Sequence, residues 1–240
     1  MDQPFYIKNY CHIKEEAIQL DGDVLFKMVS PDLASFLKSA YQHFEIDYSK
    51  FFKMDRLSKL AFMAAEVLLK TPATSFEKAY LGKASREKSA FSKPSEGDTS
   101  SGESSSIESS PENQNTAIVL SNRASSLDTD RKYQESISDL HNFYPSPAVF
   151  VYTLPNICIG EISIRHRLRS ENSFFIFDAF NAGFLKDYAE SLLDTGKADE
   201  VLCGWVDVDE NHYEAFLYLV SPTGNIPHTE QEITELYQTP

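Results

Sequence analysis

Three cysteines, Cys11, Cys158 and Cys203, are the strongest nucleophiles that this chain of 240 residues offers. A thiol attacks as its thiolate, so it needs a helix N-terminus or a neighbouring cation to lower its pKa. Cys203 stands among Val201, Leu202 and Trp205 in a run that reads as a buried strand, where a thiol is a small hydrophobe and its pKa rises. Cys158 precedes a predicted helix, a better address, yet spacing assigns it no His or carboxylate partner. None of the three forms a Cys-x-x-Cys pair; the odd number and wide spacing suit a reducing compartment and give neither a disulfide framework nor a zinc site. His12, His43, His141, His166, His212 and His228 lie singly, and a lone imidazole reads as a surface or satisfied core residue. The run DVDEN (207–211) lacks the Gly and terminal Glu of a calcium loop and reads as an acidic hairpin turn. SNRASS (121–126) offers hydroxyls after a strand, but it is no Gly-x-Ser-x-Gly elbow and no phosphate cradle. It reads as a turn whose side chains bond local backbone. No metal and no cofactor is expected.

Composition narrows the classes further. Thirty-six acidic against 22 basic residues leave a formal charge of −14, the wrong sign for nucleic acid or an anionic membrane surface. Hydrophobic residues make up 42% of the chain, enough for a real core. The N-terminus lacks a basic stretch and an apolar stretch, so no secretory signal is read, and no apolar run approaches the ~20 residues of a membrane span. The cytoplasm is the expected location.

The elements that must position any site follow from periodicity. Residues 4–14 alternate, with Phe5, Ile7, Cys11 and Ile13 assigned to one strand face. Leu33, Phe36, Leu37, Ala40, Tyr41 and Phe44 repeat as an amphipathic helix, and a second helix starts at Asp55 and ends at Thr71-Pro72. Residues 85–115, rich in Ser, Glu and Pro, cannot offset their ordering entropy and are expected to be a disordered insertion. Beyond it come a strand at 117–121, a polar helix at 129–140, an extended Pro-punctuated connection at 145–156 and a short helix at 159–168. A strand at 173–177, a helix at 180–195 and a hairpin of 201–208 with 212–220 complete the series. The expectation is a single α/β domain over 1–240 whose mixed five-stranded sheet carries helices on its faces and closes in a C-terminal hairpin.

From Tyr144 onward the chain resembles the N-terminal half of the β-ketoacyl-acyl carrier protein synthases, members of the thiolase-like superfamily. The pieces are PAVFVYTLPN (147–156), GEISIRHRLR (160–169), FIFDAFNAG (175–183) and GKADEVLCGWVDV (196–208), in order. Upstream, FFKMDRLSKLAFMAAEVLL (51–69) resembles the family's early helix, and AIVLSNRASS (117–126) its turn after a core strand. The resemblance implies a thiolase-like half-fold. It places the nucleophile elbow, Ala-Cys-Ala-Ser-Gly in the family, on Ala179, Phe180, Asn181, Ala182 and Gly183. Phe180 then occupies the position of the Cys, and a phenyl ring has no nucleophilic atom. The His residues of the family's C-terminal half, which activate malonyl groups, are not expected either, because family members run about twice as long.

That combination points to a non-catalytic subunit, similar to chain length factors, which pairs with an active ketosynthase or docks an acyl carrier protein in a fatty-acid- or polyketide-like pathway. An acyltransferase or thioesterase-like enzyme using another Ser or Cys, and a pure scaffold, are the alternatives. The helix at 180–195 supports a half that stands alone: Lys186, Asp187, Glu190 and Asp194 form a charged stripe that full burial would make costly. The resemblance also assigns the pairing edge to Ser173, Phe174, Phe175, Ile176 and Phe177, as a homodimer or with a full-length ketosynthase.

Overall fold

The computed structural model describes residues 4–70, 115–139, 141 and 144–239. The insertion expected over 85–115 lies, save for Asn115, outside them. Among the described residues eight strands, not five, form one mixed sheet: β1 (Tyr6–Lys14), β2 (Ala17–Leu20), β3 (Asp23–Lys27), β4 (Thr116–Asn122), β5 (Asn172–Ile176), β6 (Glu200–Asp209), β7 (His212–Ser221) and β8 (Ile226–Pro227). Their order is β3-β2-β1-β7-β6-β4-β5, with β8 pairing β1 off that path. β4 lies parallel to both β5 and β6, and the remaining pairs are antiparallel. The three strands missed by sequence reasoning are short: β2 and β3 have four and five residues, and β8 has two. So few residues give too little alternation to stand out as a pattern.

Two apolar layers enclose the sheet. On one face pack α1 (Leu33–His43), α2 (Arg56–Lys70) and α5 (Ile157–His166). Asp32 caps α1 by accepting from the Ser35 amide at 2.8 Å, and Leu33, Phe36, Leu37 and Ala40 form its buried stripe. Asp55 serves α2 in the same way, accepting from Ser58 N at 2.9 Å. Helix α2 is buried from Leu57 to Leu68 save for Lys59, and this includes Glu66, which accepts two bonds from Arg165 (2.7 and 3.2 Å) and lies 3.1 Å from His166. On the opposite face lie α6 (Ala182–Asp194) and α7 (Glu230–Gln238). Two further helices, α3 (Leu127–Ser136) and α4 (Pro147–Val151), follow β4. The segment 145–156 is therefore not extended throughout: Ser146 caps a helical turn that begins on Pro147, where a missing N–H costs nothing. Nor does the hairpin β6–β7 close the chain, since β8 and α7 come after it.

Strand β1 departs from simple alternation. A register shift between Ile7 and Asn9 inserts one residue, so Ile7 packs beside α6 while Cys11 and Ile13 pack on the α1/α2 face. The single face assigned to these residues is thus split in two. Gly204 of β6 admits the close approach of β7: a Cβ there would stand 2.1 Å from the Phe216 carbonyl oxygen.

Candidate functional site

The parallel strands β5, β4 and β6 direct their C-terminal ends to one edge, where the turns after β4 and β5 meet the start of the β6–β7 hairpin loop. After β5 the Phe177 amide still bonds to Asn122 O at 2.9 Å. The chain then turns through Asp178, Ala179 and Phe180 into α6. Asn181 is its N-cap, accepting from Phe184 N at 3.0 Å, and Ala182 and Gly183 form the first helical turn. The five elbow residues are therefore brought to a strand–turn–helix junction. At Gly183 the Glu230 carboxylate of α7 lies against the backbone, 3.1 to 3.2 Å from where a Cβ would be, so a larger residue would press on it.

A cleft of about 710 Å³ opens at this junction, lined by Phe177, Phe180, Trp205, Asp207, Glu214 and Tyr237, with Arg123 and His212 at its rim. The Phe180 ring is half-buried and rests on Tyr237, with centroids 4.2 Å apart, and meets Phe216 and Trp205 edge-on. Glu214 Oε1 accepts from Trp205 Nε1 at 2.8 Å and from Tyr237 OH at 2.9 Å. Burial, reinforced by Glu214, pushes the Tyr237 hydroxyl well above the ordinary tyrosine range, so it stays a donor. Asp207 is buried and accepts from the amides of Arg123 (3.1 Å) and Ala124 (2.9 Å), tying the hairpin to the turn after β4. His212 Nε2 stands 4.0 Å from Asp207 and 3.9 Å from Glu214. Sequence reasoning read DVDEN as a hairpin turn and missed that Asp207 faces inward; its position two residues beyond Trp205, on the same strand face, was the available signal.

The other candidates take structural places. Cys11, Cys158 and Cys203 are all buried, and burial pushes each thiol far above its ordinary range, away from the thiolate. Ser121 donates to Gly204 O (3.1 Å) and Ser126 to Thr153 O (2.7 Å); the Asn122 side chain donates to Ser125 O (2.8 Å) and accepts from Ser125 N (3.0 Å), so 121–126 is a turn tied down by its own side chains. Of the described histidines, His212 alone reaches the cleft lining; His12 and His228 are buried, and His166 pairs with Glu66. Among the described residues no group of three or more His, Cys, Asp or Glu could hold a metal ion, and no helix is long and apolar enough to cross a membrane.

Strand β5 forms one edge of the sheet, opposite β3. Phe174 and Phe175 point to opposite layers, and Phe175 packs against Phe184 and Tyr188 of α6. Ile176 is 53% exposed, and Ile164, on the helix that contacts β5, is 63% exposed. Phe150, Val151 and Leu154 are also exposed on α4 and the turn after it. The charged stripe of α6 is realised as a Lys186–Glu190 pair at 2.7 Å, while Ala182, Leu185, Ala189 and Leu192 form the buried side.

A second pocket, of about 260 Å³, concentrates positive charge in this acidic chain: Lys53, Arg56, Lys59 and Lys132 line it with Thr129 and Tyr152. Arg56 and Lys132 share Asp128, each at 2.7 Å. Burial, with Lys132 acting in the same sense against Asp55, holds the Lys59 ammonium below the ordinary lysine range.

Sequence comparison brings no match, either to a family model or to a curated protein. Comparison of structures does. The ishigamide ketosynthase/chain length factor superposes with a TM-score of 0.52 at 16% identity, over 91% of this chain and 62% of that one. The ketosynthase ApeO in complex with its chain length factor ApeC from Xenorhabdus doucetiae gives 0.51 at 14%, over 98% and 90%. AntDE:AntF, a type II polyketide synthase acyl-carrier protein in complex with its ketosynthase bound to the hexaketide, gives 0.50 at 11%, over 92% and 63%. The chain spans less than two thirds of the length of the first and third of these. The fold is accordingly the thiolase-like fold of ketosynthases and chain length factors, as the sequence resemblance implies.

Proposed function

We propose that this protein is a non-catalytic, chain-length-factor-like subunit that pairs with an active ketosynthase and meets its acyl carrier protein. One observation supports the reading above the others: the Phe180 ring packs on Tyr237 at the strand–turn–helix junction, the position to which the sequence resemblance assigns the family's nucleophilic thiol. The three thiols that could substitute are buried and held protonated, and Ser121 and Ser126 spend their hydroxyl protons on backbone carbonyls, which weighs against an acyltransferase or thioesterase. Pairing is supported by the open β5 edge and the exposed apolar residues beside it, an arrangement that monomers ordinarily protect with charge. Carrier-protein contact is supported by the Lys53, Arg56, Lys59 and Lys132 pocket, which offers positive charge to an acidic partner. The test is co-expression with full-length ketosynthases followed by affinity capture and size exclusion. A stable complex of two chains supports the reading; a chain that stays single beside every ketosynthase tried rejects it.

A further inference from the structure

Helix α7 lies across the elbow and is fastened at both ends to the body by buried imidazoles. Under its last turn, His12 of β1 donates from Nε2 to the Leu236 carbonyl oxygen at 2.9 Å. At its root, His228 donates from Nδ1 to Glu190 Oε1 at 3.2 Å, and the Thr229 side chain caps the helix. The segment is also held by pairing of Ile226 and Pro227 with β1, by buried Ile233 and partly buried Leu236, and by Tyr237, which donates to Glu214 at 2.9 Å and packs on Phe180. The helix carries Glu230, Glu232 and Glu235 and no basic residue, above a cleft lined by Asp207 and Glu214 as well as by Arg123 and His212.

We propose that the segment 226–238 is an acid-released strap over the elbow, held closed by neutral His12 and His228 and freed when they take up protons. At His228 the geometry opposes a charged ring while the strap is closed, and at His12 burial acts in the same direction. His228 has a side chain with no exposed surface, and its Nε2 is buried without an acceptor, so a second proton there would have no partner. His12 is 2% exposed and lies 4.6 Å from the Phe216 ring.

The groups around each ring are few. Facing His12 are the Phe216 ring of β7, Tyr10 and Lys14 of β1, and the α7 carbonyl; Lys14 disfavours the imidazolium. Facing His228 are Tyr218 of β7 and, on α6, Glu190, which favours the charge, and Lys186, which opposes it. Of the α7 carboxylates, Glu230 lies against Gly183 and Glu235 accepts from Gln231. Burial outweighs Leu236 at one site and Glu190 at the other, and holds both imidazoles down at about 4, against 6.5 ordinarily.

The sign follows. Above pH 6.5 neither the closed nor the open strap binds these protons, and closure is undiminished. Between 6.5 and 4 the open form takes them up and the closed form does not, so closure weakens as pH falls. At pH 5 each histidine lowers the closing equilibrium by about thirtyfold.

The test is hydrogen exchange on the full chain from pH 7.5 to 4.5, corrected for intrinsic rates and read by mass spectrometry on peptides covering 226–238 and the β6–β7 hairpin. The strap peptide is expected to lose protection between pH 6.5 and 5 while the hairpin keeps its own. The double variant His12→Asn, His228→Asn is expected to flatten that dependence. Strap protection independent of pH, strap and hairpin opening together, or a double variant that keeps the wild-type dependence would each overturn the proposal. If the double variant does not fold, the wild-type comparison of strap with hairpin decides alone.

Discussion

Replacing Phe180 by Cys puts a thiol at the junction and asks whether the place, rather than the side chain alone, is suited to it. Phe180 is half-buried against Tyr237, Phe216 and Trp205. Full truncation of a buried Phe costs about 3–5 kcal/mol, so losing this partly covered ring should cost about 2 kcal/mol and leave the variant folded. The N-terminus of α6 favours a thiolate by at most about 1 kcal/mol, and the Glu230 carboxylate lying against Gly183 opposes it. The two roughly cancel, leaving a thiol near its free pKa of about 8.5 and about a quarter ionised at pH 8. Cys11, Cys158 and Cys203 remain buried and protonated under the same conditions. Treatment of the folded proteins with iodoacetamide at pH 8, read by intact mass, is expected to add one adduct to the variant and none to the wild type. Incubation with an acyl thioester should then acylate the introduced thiol slowly, without malonyl-dependent turnover. A wild type labelled as fast as the variant, or a variant as inert as the buried thiols, would refute the argument that the cleft reaches position 180 and no other thiol.

Four further outcomes can be measured. Glu66→Ala leaves Arg165 and His166 without their buried acceptor and should lower stability by about 3 kcal/mol, seen as a fall in thermal midpoint. Gly204→Ala drives a methyl group to 2.1 Å from the Phe216 carbonyl oxygen and should cost about 3 kcal/mol or prevent soluble expression, whereas Gly160→Ala, with open space around it, should be neutral in the same denaturation assay. Ile176→Lys should weaken association at the β5 edge by about tenfold or more in sedimentation with little change in melting temperature; Phe175→Lys should damage the fold as well, because Phe175 packs on α6. Lys59→Glu with Lys132→Glu should weaken carrier-protein binding by about tenfold at low ionic strength, an effect that fades as salt is added.

Long elements with strong periodicity were readable from sequence, and short ones were not. The stripe of Leu33, Phe36, Leu37 and Ala40 and the hairpin of Glu200–Asp209 with His212–Ser221 fall where periodicity puts them. Strand β8 is only two residues long, and α7 offers only one short apolar repeat, Ile233, Leu236 and Tyr237, within a mostly acidic run that sequence reasoning passed over. The bulge at Ile7–Asn9 defeats any face assignment that assumes strict alternation. The charged stripe on α6 foretold its half-covered state, and residues 179–183 do lie between a strand and a helix, as periodicity alone could show. The cleft was not legible, because Glu214, Tyr237 and Arg123 come from three distant segments that only the folded sheet brings together. The cationic pocket was hidden for the same reason, its lysines lying at 53, 59 and 132 within a chain whose overall sign is negative.

The central claim, a partner subunit without a nucleophile of its own, is met most directly by native mass spectrometry of this chain co-expressed with a full-length ketosynthase and charged with an acyl-carrier-protein thioester. The predicted result is a complex of the two chains in which the acyl mass appears on the ketosynthase and the chain carrying Phe180 keeps its unmodified mass; acyl mass on this chain, or no complex at all, would contradict it.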